Sequence, residues 1–158
     1  MKTVFLENCY TFLLIVHLLA TFVLIGSMSH NLQGVISYCR GRFERQALEK
    51  RNARIFFWSY LVCYVIGCII YPTYRVYMRP YFDPQLPWAT GLFEVKEHWG
   101  ALATAMLLVY YLLRKQFQPS EDRSKLALYI PLCFLLNIIV WYKVIIGVWL
   151  TILKGSWS

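Results

Sequence analysis

The sequence predicts an all-α integral membrane protein, a bundle of four transmembrane helices with both termini outside the cytoplasm. First, 59% of the 158 residues are hydrophobic and 15% are charged, whereas soluble domains are about 45–50% apolar and about 25% charged. Second, four long apolar runs are separated by short polar segments. Third, basic residues are concentrated in two of those segments. Because no long polar region is left for a second domain, residues 1–158 are predicted to form one membrane domain.

The four apolar runs predict transmembrane spans at about 9–30, 54–72, 92–114 and 126–153. The first and last runs alone have the roughly 20 apolar residues that a helix needs to cross a bilayer. The second helix is expected to bend at Pro72, because proline removes a backbone hydrogen bond. The third is long enough if it begins near Thr90 as the N-cap and carries polar residues in its first turns.

The distribution of Lys and Arg predicts the orientation. The loop after the first span has six basic residues and the loop after the third has four, against five on the opposite side. Because basic loops are retained in the cytoplasm, these two loops are expected to be cytoplasmic, in a protein of the cell inner (plasma) membrane. The net charge of +8 is thereby explained without nucleic acid. The expected partners are the lipid bilayer and other membrane protein subunits.

The long outer segment and the cysteines carry two further expectations. Four prolines and many aromatic residues between positions 72 and 93 predict an ordered cap on the membrane surface, since prolines restrict the unfolded chain and Tyr and Trp favour the headgroup layer. The five cysteines form no Cys-x-x-Cys pair, so no zinc or iron–sulfur motif is indicated. All five are expected to be free.

Three ionisable residues, His17, His98 and Lys143, are the candidates for function inside the bilayer, while Glu94 and Glu97 lie near its boundary. With a rise of 1.5 Å per residue, His17 lies roughly 10 Å and Lys143 roughly 16 Å below the outer interface. His98 lies in the first turns of the third span, so all three occupy the outer half of the membrane. Two imidazoles on facing helices are a common way to hold a b-type haem. His17 and His98 are therefore predicted as ligands of a haem iron.

Charged residues near this pair complete the predicted site. Arg75 and Arg79, at the outer face, are expected to bind the haem propionates, because guanidinium groups match carboxylates. Lys143 must lose its proton or meet an anion, which Glu94, Glu97 or a propionate would supply. Two alternatives remain open: the histidines serve only as hydrogen-bonding groups between helices, or the residues support proton or quinone chemistry.

The segment LLIVHLLATFVLIGSMSH resembles the first helix of small bacterial four-helix membrane proteins. These are the copper-resistance D-type family and the membrane-bound protoporphyrinogen oxidase family, which open with an apolar helix carrying a His and then a Gly. The matching residues are His17 and Gly26, and the resemblance covers about one helix of four. The oxidase family is associated with haem and uses an intramembrane lysine. That lysine lies in the third span, whereas Lys143 lies in the fourth. The resemblance supports haem.

The leading functional prediction is a b-type haem protein of the outer half of the bundle. It would act as an electron-transfer or quinol-linked subunit of a larger membrane complex, respiratory or photosynthetic, with quinone as a further candidate cofactor. The alternatives are an accessory subunit without a cofactor and a haem-biosynthetic membrane oxidase. No Ser-His-Asp arrangement or phosphate-binding glycine loop points to hydrolysis or phosphoryl transfer, and whether the protein is an enzyme stays open.

Overall fold

The structure is a computed structural model that describes the backbone of residues 6–155, and within this range every regular element is helical. The α-helices are α1 (Tyr10–Cys39), α2 (Gln46–Thr73), α3 (Arg79–Gln85), α4 (Pro87–Gln116) and α5 (Leu126–Gly155). Short 3₁₀ turns precede α1 and α5, at Glu7–Cys9 and Arg123–Lys125. The predicted all-α fold class is confirmed.

Three stretches are long and apolar enough to cross a membrane: Tyr10–Cys39, Gln46–Tyr77 and Arg123–Leu153. This agrees with the prediction of a membrane protein. Helix α4 has the same 30-residue length as α1 and α5, but its first turns contain Glu94, Lys96, Glu97 and His98. These polar residues limit the apolar run of α4 to residues 99–113, which is shorter than the apolar runs of the other three long helices.

The four long helices pack around a shared apolar core. Helix α1 lies along α2, α4 lies along α5, and α2 and α4 also touch. Met28, Phe56, Tyr110 and Leu136 are among the fully buried core side chains. Large apolar side chains also cover the outside of the bundle. One example is Phe22, which is 63% exposed. An apolar exterior of this kind suits contact with lipid rather than water.

The two ends of the bundle differ in construction. We call the end that holds the connections 40–45 and 117–125 the loop end, and the end that holds α3 the cap end. At the loop end, α1 continues to Cys39 and α2 begins at Gln46, each slightly more than two turns beyond its predicted span. At the cap end, α3 provides the ordered segment that the prolines and aromatic residues predict.

Two local features near prolines bear on the predicted helix geometry. Helix α4 begins at Pro87 with Leu86 as its N-cap, so the prediction of Thr90 as the N-cap is wrong. Proline is well suited to the first helical position, where its missing N–H needs no partner, and this moves the start upstream. Helix α2 continues through Pro72 and changes to a π-helix at Tyr74–Met78, a local irregularity of the kind associated with kinks.

Candidate functional site

Four helices bring polar side chains together inside the cap-end half of the bundle, in a group that we call the cap-side cluster: His17, Tyr60, Tyr64, Lys96, Glu97 and Lys143. The Lys143 ammonium lies 5.4 Å from the centroid of the Tyr60 ring and 5.8 Å from that of Tyr64. Contacts between a cation and aromatic faces become more favourable when water is excluded. A Cβ atom at Gly100 would lie 2.5 Å from Lys143 Nζ, so the absence of a side chain there makes room for the ammonium.

His17 faces the same cluster from α1. Its ring is half-buried, and its Nδ1 atom is buried with no hydrogen-bond partner in the described part of the chain. A Cβ atom at Gly67 would lie 3.8 Å from His17 Cε1, which places the ring against α2. Lys96, Glu97 and Lys143 are close enough to interact electrostatically with the imidazole. The structure therefore brings His17 and Lys143 into one cluster.

The predicted carboxylate partners of Lys143 form ion pairs with other residues. Glu97 is within electrostatic range, but its Oε1 atom lies 3.6 Å from the ammonium of Lys96. Glu94 is exposed and pairs with Arg79, whose Nη2 atom lies 3.1 Å from Glu94 Oε1. No carboxylate oxygen of the described side chains lies within 4.0 Å of Lys143 Nζ. Lys143 is thus a half-buried cation whose ammonium lies over two aromatic rings.

His98 lies on the other side of α4. Its side chain is exposed, and its Nδ1 atom lies 2.7 Å from the backbone oxygen of Glu94. Gly100, which faces the bundle, is two residues away and therefore about 200° around the helix. The structure places His98 outside the cap-side cluster that contains His17, so the two predicted iron ligands do not face one site within one chain. Ligation by the pair stays a prediction.

The predicted propionate ligands lie at the cap end. Arg75 is exposed, and Arg79 already pairs with Glu94 and with Asp83, whose Oδ2 atom lies 3.3 Å from Arg79 Nε. Both arginines are thus at the same end of the bundle as the cap-side cluster. The Arg79 guanidinium would have to exchange two existing carboxylate partners to bind a third.

A cleft at the cap end leads toward the cap-side cluster. It has a volume of about 140 Å³, and its lining includes Tyr10, Tyr74, Phe93, Lys96 and Gly147. The Phe93 and Tyr74 rings stack with centroids 3.6 Å apart, and Lys96 Nζ lies 4.6 Å from the Phe93 centroid. Gly147 is one helical turn from Lys143 on α5. The cleft therefore reaches Lys96 of the cap-side cluster and approaches α5 one helical turn from Lys143.

No family model, curated protein or solved structure matches this chain. The likeness of the first helix to the two bacterial families remains a resemblance of sequence. The chemistry of the cluster follows from its own residues: an imidazole nitrogen and an ammonium that lack conventional partners. In the described residues, no three His, Cys, Asp or Glu side chains are grouped as a metal site, and His17 is the one histidine that faces the cluster.

A second polar group, which the sequence analysis did not predict, lies near the loop end. We call it the loop-side cluster: Asn31, Tyr38, Glu49, Tyr110, Arg114, Tyr129 and Cys133. Arg114 Nε donates to Glu49 Oε2 at 2.5 Å, and these side chains are 4% and 0% exposed. Asn31 Nδ2 donates to Glu49 Oε1 at 2.7 Å and Tyr38 OH to Oε2 at 3.0 Å. The Tyr129 hydroxyl also donates to Oε1, so four donors hold one buried carboxylate.

The loop-side cluster joins all four long helices. Tyr110 OH donates to Asn31 Oδ1 at 2.6 Å, and the Tyr110 ring stacks on Tyr129 with centroids 4.3 Å apart. Arg114 also donates to the backbone oxygens of Phe117 and Gln46, at 3.0 and 2.9 Å. The arginine thereby connects the end of α4 to the start of α2.

The sequence contains a signal for this cluster. Glu49 precedes Ala53, Phe56 and Tyr60 at intervals of three or four residues, and these three residues are buried. Extending this stripe back by one turn places Glu49 on the inner face of α2. Arg114 likewise follows Tyr110 by one turn on α4.

Proposed function

We propose that this chain is an integral membrane protein that binds a b-type haem through His17 and Lys143, as an electron-transfer or quinol-linked subunit of a larger membrane complex. The observation that carries the proposal is that two polar groups of the cap-side cluster, one on His17 and one on Lys143, lack partners. A buried imidazole nitrogen lacks a partner, and the ammonium of the half-buried Lys143 has no carboxylate of the described side chains within 4.0 Å. An iron porphyrin offers both a metal for the imidazole and carboxylates for the ammonium.

Each residue would have a separate task in this site. The neutral imidazole of His17 would bind the iron, and Lys143 would hold a propionate, with Lys96 closer to the cap. Bound haem supplies one-electron redox chemistry. The cleft of about 140 Å³ is smaller than the roughly 300–1,000 Å³ of common ligand pockets. Binding therefore requires α1 and α5 to separate at the cap end, where the cleft already divides them.

We expect the purified protein to show a Soret band, and His17→Ala to abolish it, because the substitution removes the iron ligand. Lys143→Met should weaken haem binding without changing the position of the band, since the lysine contacts the propionate rather than the iron. Absorption spectra during titration with hemin measure both effects.

The matched controls are the other two histidines. His98→Ala and His30→Ala should retain the Soret band, because His98 faces away from the cluster and His30 is exposed on α1. Loss of the band in His98→Ala, with the band retained in His17→Ala, would show that the iron is bound on the outer face of α4 and not in the cluster.

The accessory-subunit alternative is favoured by the small volume of the cleft. A protein that binds no cofactor needs no larger cavity, and the outward His98 would then be available to a neighbouring subunit. A blank absorption spectrum after hemin titration, together with co-purification of a partner, would select this alternative.

The same proposal includes four spans and a cytoplasmic loop end. Helix α4 packs along α5 and turns Gly100, Ala103 and Leu107 into the bundle, which supports its crossing the membrane with the other three. The excess of basic residues at the loop end supports the orientation.

Labelling of single cysteines tests this orientation. Both Cys39 at the end of α1 and Asp83 on α3 are exposed. In variants whose other cysteines are replaced, we expect a membrane-impermeant thiol reagent to label Asp83→Cys in intact cells. Cys39 should be labelled only after the cells are opened. The reverse result would invert the orientation while leaving the helix packing unchanged.

A further inference from the structure

We propose that the bundle conducts protons between its two ends, and that Asn137 binds the water that links the loop-side cluster to the cap-side cluster. The inference concerns a path along the whole bundle and does not depend on haem. Chains of ionisable and hydroxyl groups inside membrane proteins are typical of proton relays.

The path begins in a cavity at the loop end. This cavity has a volume of about 360 Å³ and is lined by residues that include Lys50, Lys115, Phe117 and Gln118. In the sequence, Lys50 and Lys115 directly follow Glu49 and Arg114, which form the buried ion pair. The backbone oxygen of Phe117 accepts a hydrogen bond from Arg114. Water in the cavity therefore lies next to the loop-side cluster.

The loop-side cluster carries the path into the middle of the bundle. The hydroxyls of Tyr110 and Tyr129 can each donate one proton while accepting another. Cys133 Sγ donates to Asn31 Oδ1 at 3.5 Å, and Asn137 Nδ2 lies 3.6 Å from the same sulfur. These contacts extend a polar series from Glu49 on α2 to Asn137 on α5.

Asn137 occupies the position between the two clusters. It is 4% exposed, and its Nδ2 atom donates to the backbone oxygen of Cys133 at 2.8 Å. Its Oδ1 atom is buried and has no hydrogen-bond donor among the described residues. Helix packing alone does not require such an oxygen, because a buried amide oxygen without a donor is destabilising. A water molecule that donates to Oδ1 removes this cost and continues the path.

The cap-side cluster completes the path. Lys143 follows Asn137 by six residues, or about 9 Å of helix rise, a distance that its own side chain and one or two waters can span. His17, Glu97 and Lys96 then lead to the cap-end cleft. An open cavity therefore lies at each end, and the segment around Asn137 is the one that needs a bridging water.

The proton balance is simple. One proton enters from water in the loop-end cavity and one leaves to water in the cap-end cleft, or the reverse. Each relaying group returns to its starting protonation state, and no electron or other reactant takes part.

The experiment uses the full chain in phospholipid liposomes that contain a pH-sensitive dye. A potassium gradient with valinomycin sets the membrane potential that drives proton flux. We expect the wild-type protein to change the internal pH faster than protein-free liposomes do. Asn137→Leu should reduce the rate to that of protein-free liposomes, because it removes the oxygen that binds water. Asn137→Asp keeps an oxygen acceptor and should retain flux.

Ser27→Ala is the matched control, because Ser27 is another buried polar residue but donates only to Leu24 of its own helix. It should conduct like the wild type. A wild-type rate equal to that of protein-free liposomes, or an Asn137→Leu rate equal to that of the wild type, would overturn the proposal. Circular dichroism and size-exclusion chromatography establish folding, and Asn137→Met replaces Asn137→Leu if the latter does not fold. Haem binding is read separately from the spectrum, so the two proposals can fail independently.

Discussion

Replacing Arg114 by methionine is expected to lower the free energy of unfolding of the bundle by about 3–5 kcal/mol, the range for breaking a buried ion pair. The substitution keeps the volume of the side chain but leaves the charge of Glu49 buried, where it is 0% exposed. It also removes the donors to the backbone oxygens of Gln46 and Phe117. Asn31, Tyr38 and Tyr129 would still donate to Glu49, but none of them carries a compensating charge.

Unfolding in mixed micelles of increasing SDS content measures this effect. Lys115→Met is the matched control, because Lys115 is the next residue on the helix, is exposed, and should change stability little. Glu49→Gln combined with Arg114→Met should restore part of the loss, since no charge then remains buried. Equal stability of Arg114→Met and Lys115→Met would mean that the buried ion pair does not hold the bundle together.

The three long apolar helices were predictable because the bilayer imposes a minimum length on every apolar run. The helix ends were less predictable, because they depend on local chemistry rather than on hydropathy. Pro87 moved the start of α4 five residues upstream of the predicted residue 92. Helix α1 extends to Cys39 through the uncharged residues 31–39, and α2 begins at Gln46 with charged turns that precede its apolar run.

The cap-side cluster was predictable only in part. His17 and Lys143 were found because ionisable residues are rare inside apolar runs. His98 was assigned to the same site from its depth in the membrane, which follows from its position in the sequence. Its direction around the helix was not considered. Lys96 and Gly100 face the bundle, and His98 between them faces outward.

The loop-side cluster was missed because its charged members lie in segments whose composition is typical of solvent-exposed chain. Glu49 stands among Arg and Lys residues, and Arg114 stands beside Lys115. The cluster depends on contacts between residues far apart in the chain, such as Asn31 with Tyr110. Helical periodicity can place each residue on an inner face, but the pairing between helices is decided by the fold.

Replacing Gly34 by alanine is expected to lower the free energy of unfolding by about 1–3 kcal/mol, the usual cost of overpacking a core. A Cβ atom at this position would lie 2.7 Å from Glu49 Cγ and 2.8 Å from Glu49 Cβ. Such distances require one side to move. Glu49 cannot readily move, because Asn31, Tyr38 and Arg114 are among the four donors that hold its carboxylate. The substitution therefore has to push α1 away from α2.

Gly26→Ala is the matched control, because Gly26 lies on the same helix and a Cβ atom there meets nothing within 4 Å. It should leave stability unchanged or raise it by up to about 1 kcal/mol through the helix preference of alanine. Because Gly34→Ala and Arg114→Met both act on Glu49, their effects should not add in the double variant. If Gly34→Ala is as stable as Gly26→Ala in the same SDS titration, the carboxylate is free to shift and the loop-side cluster is not the rigid junction of the four helices.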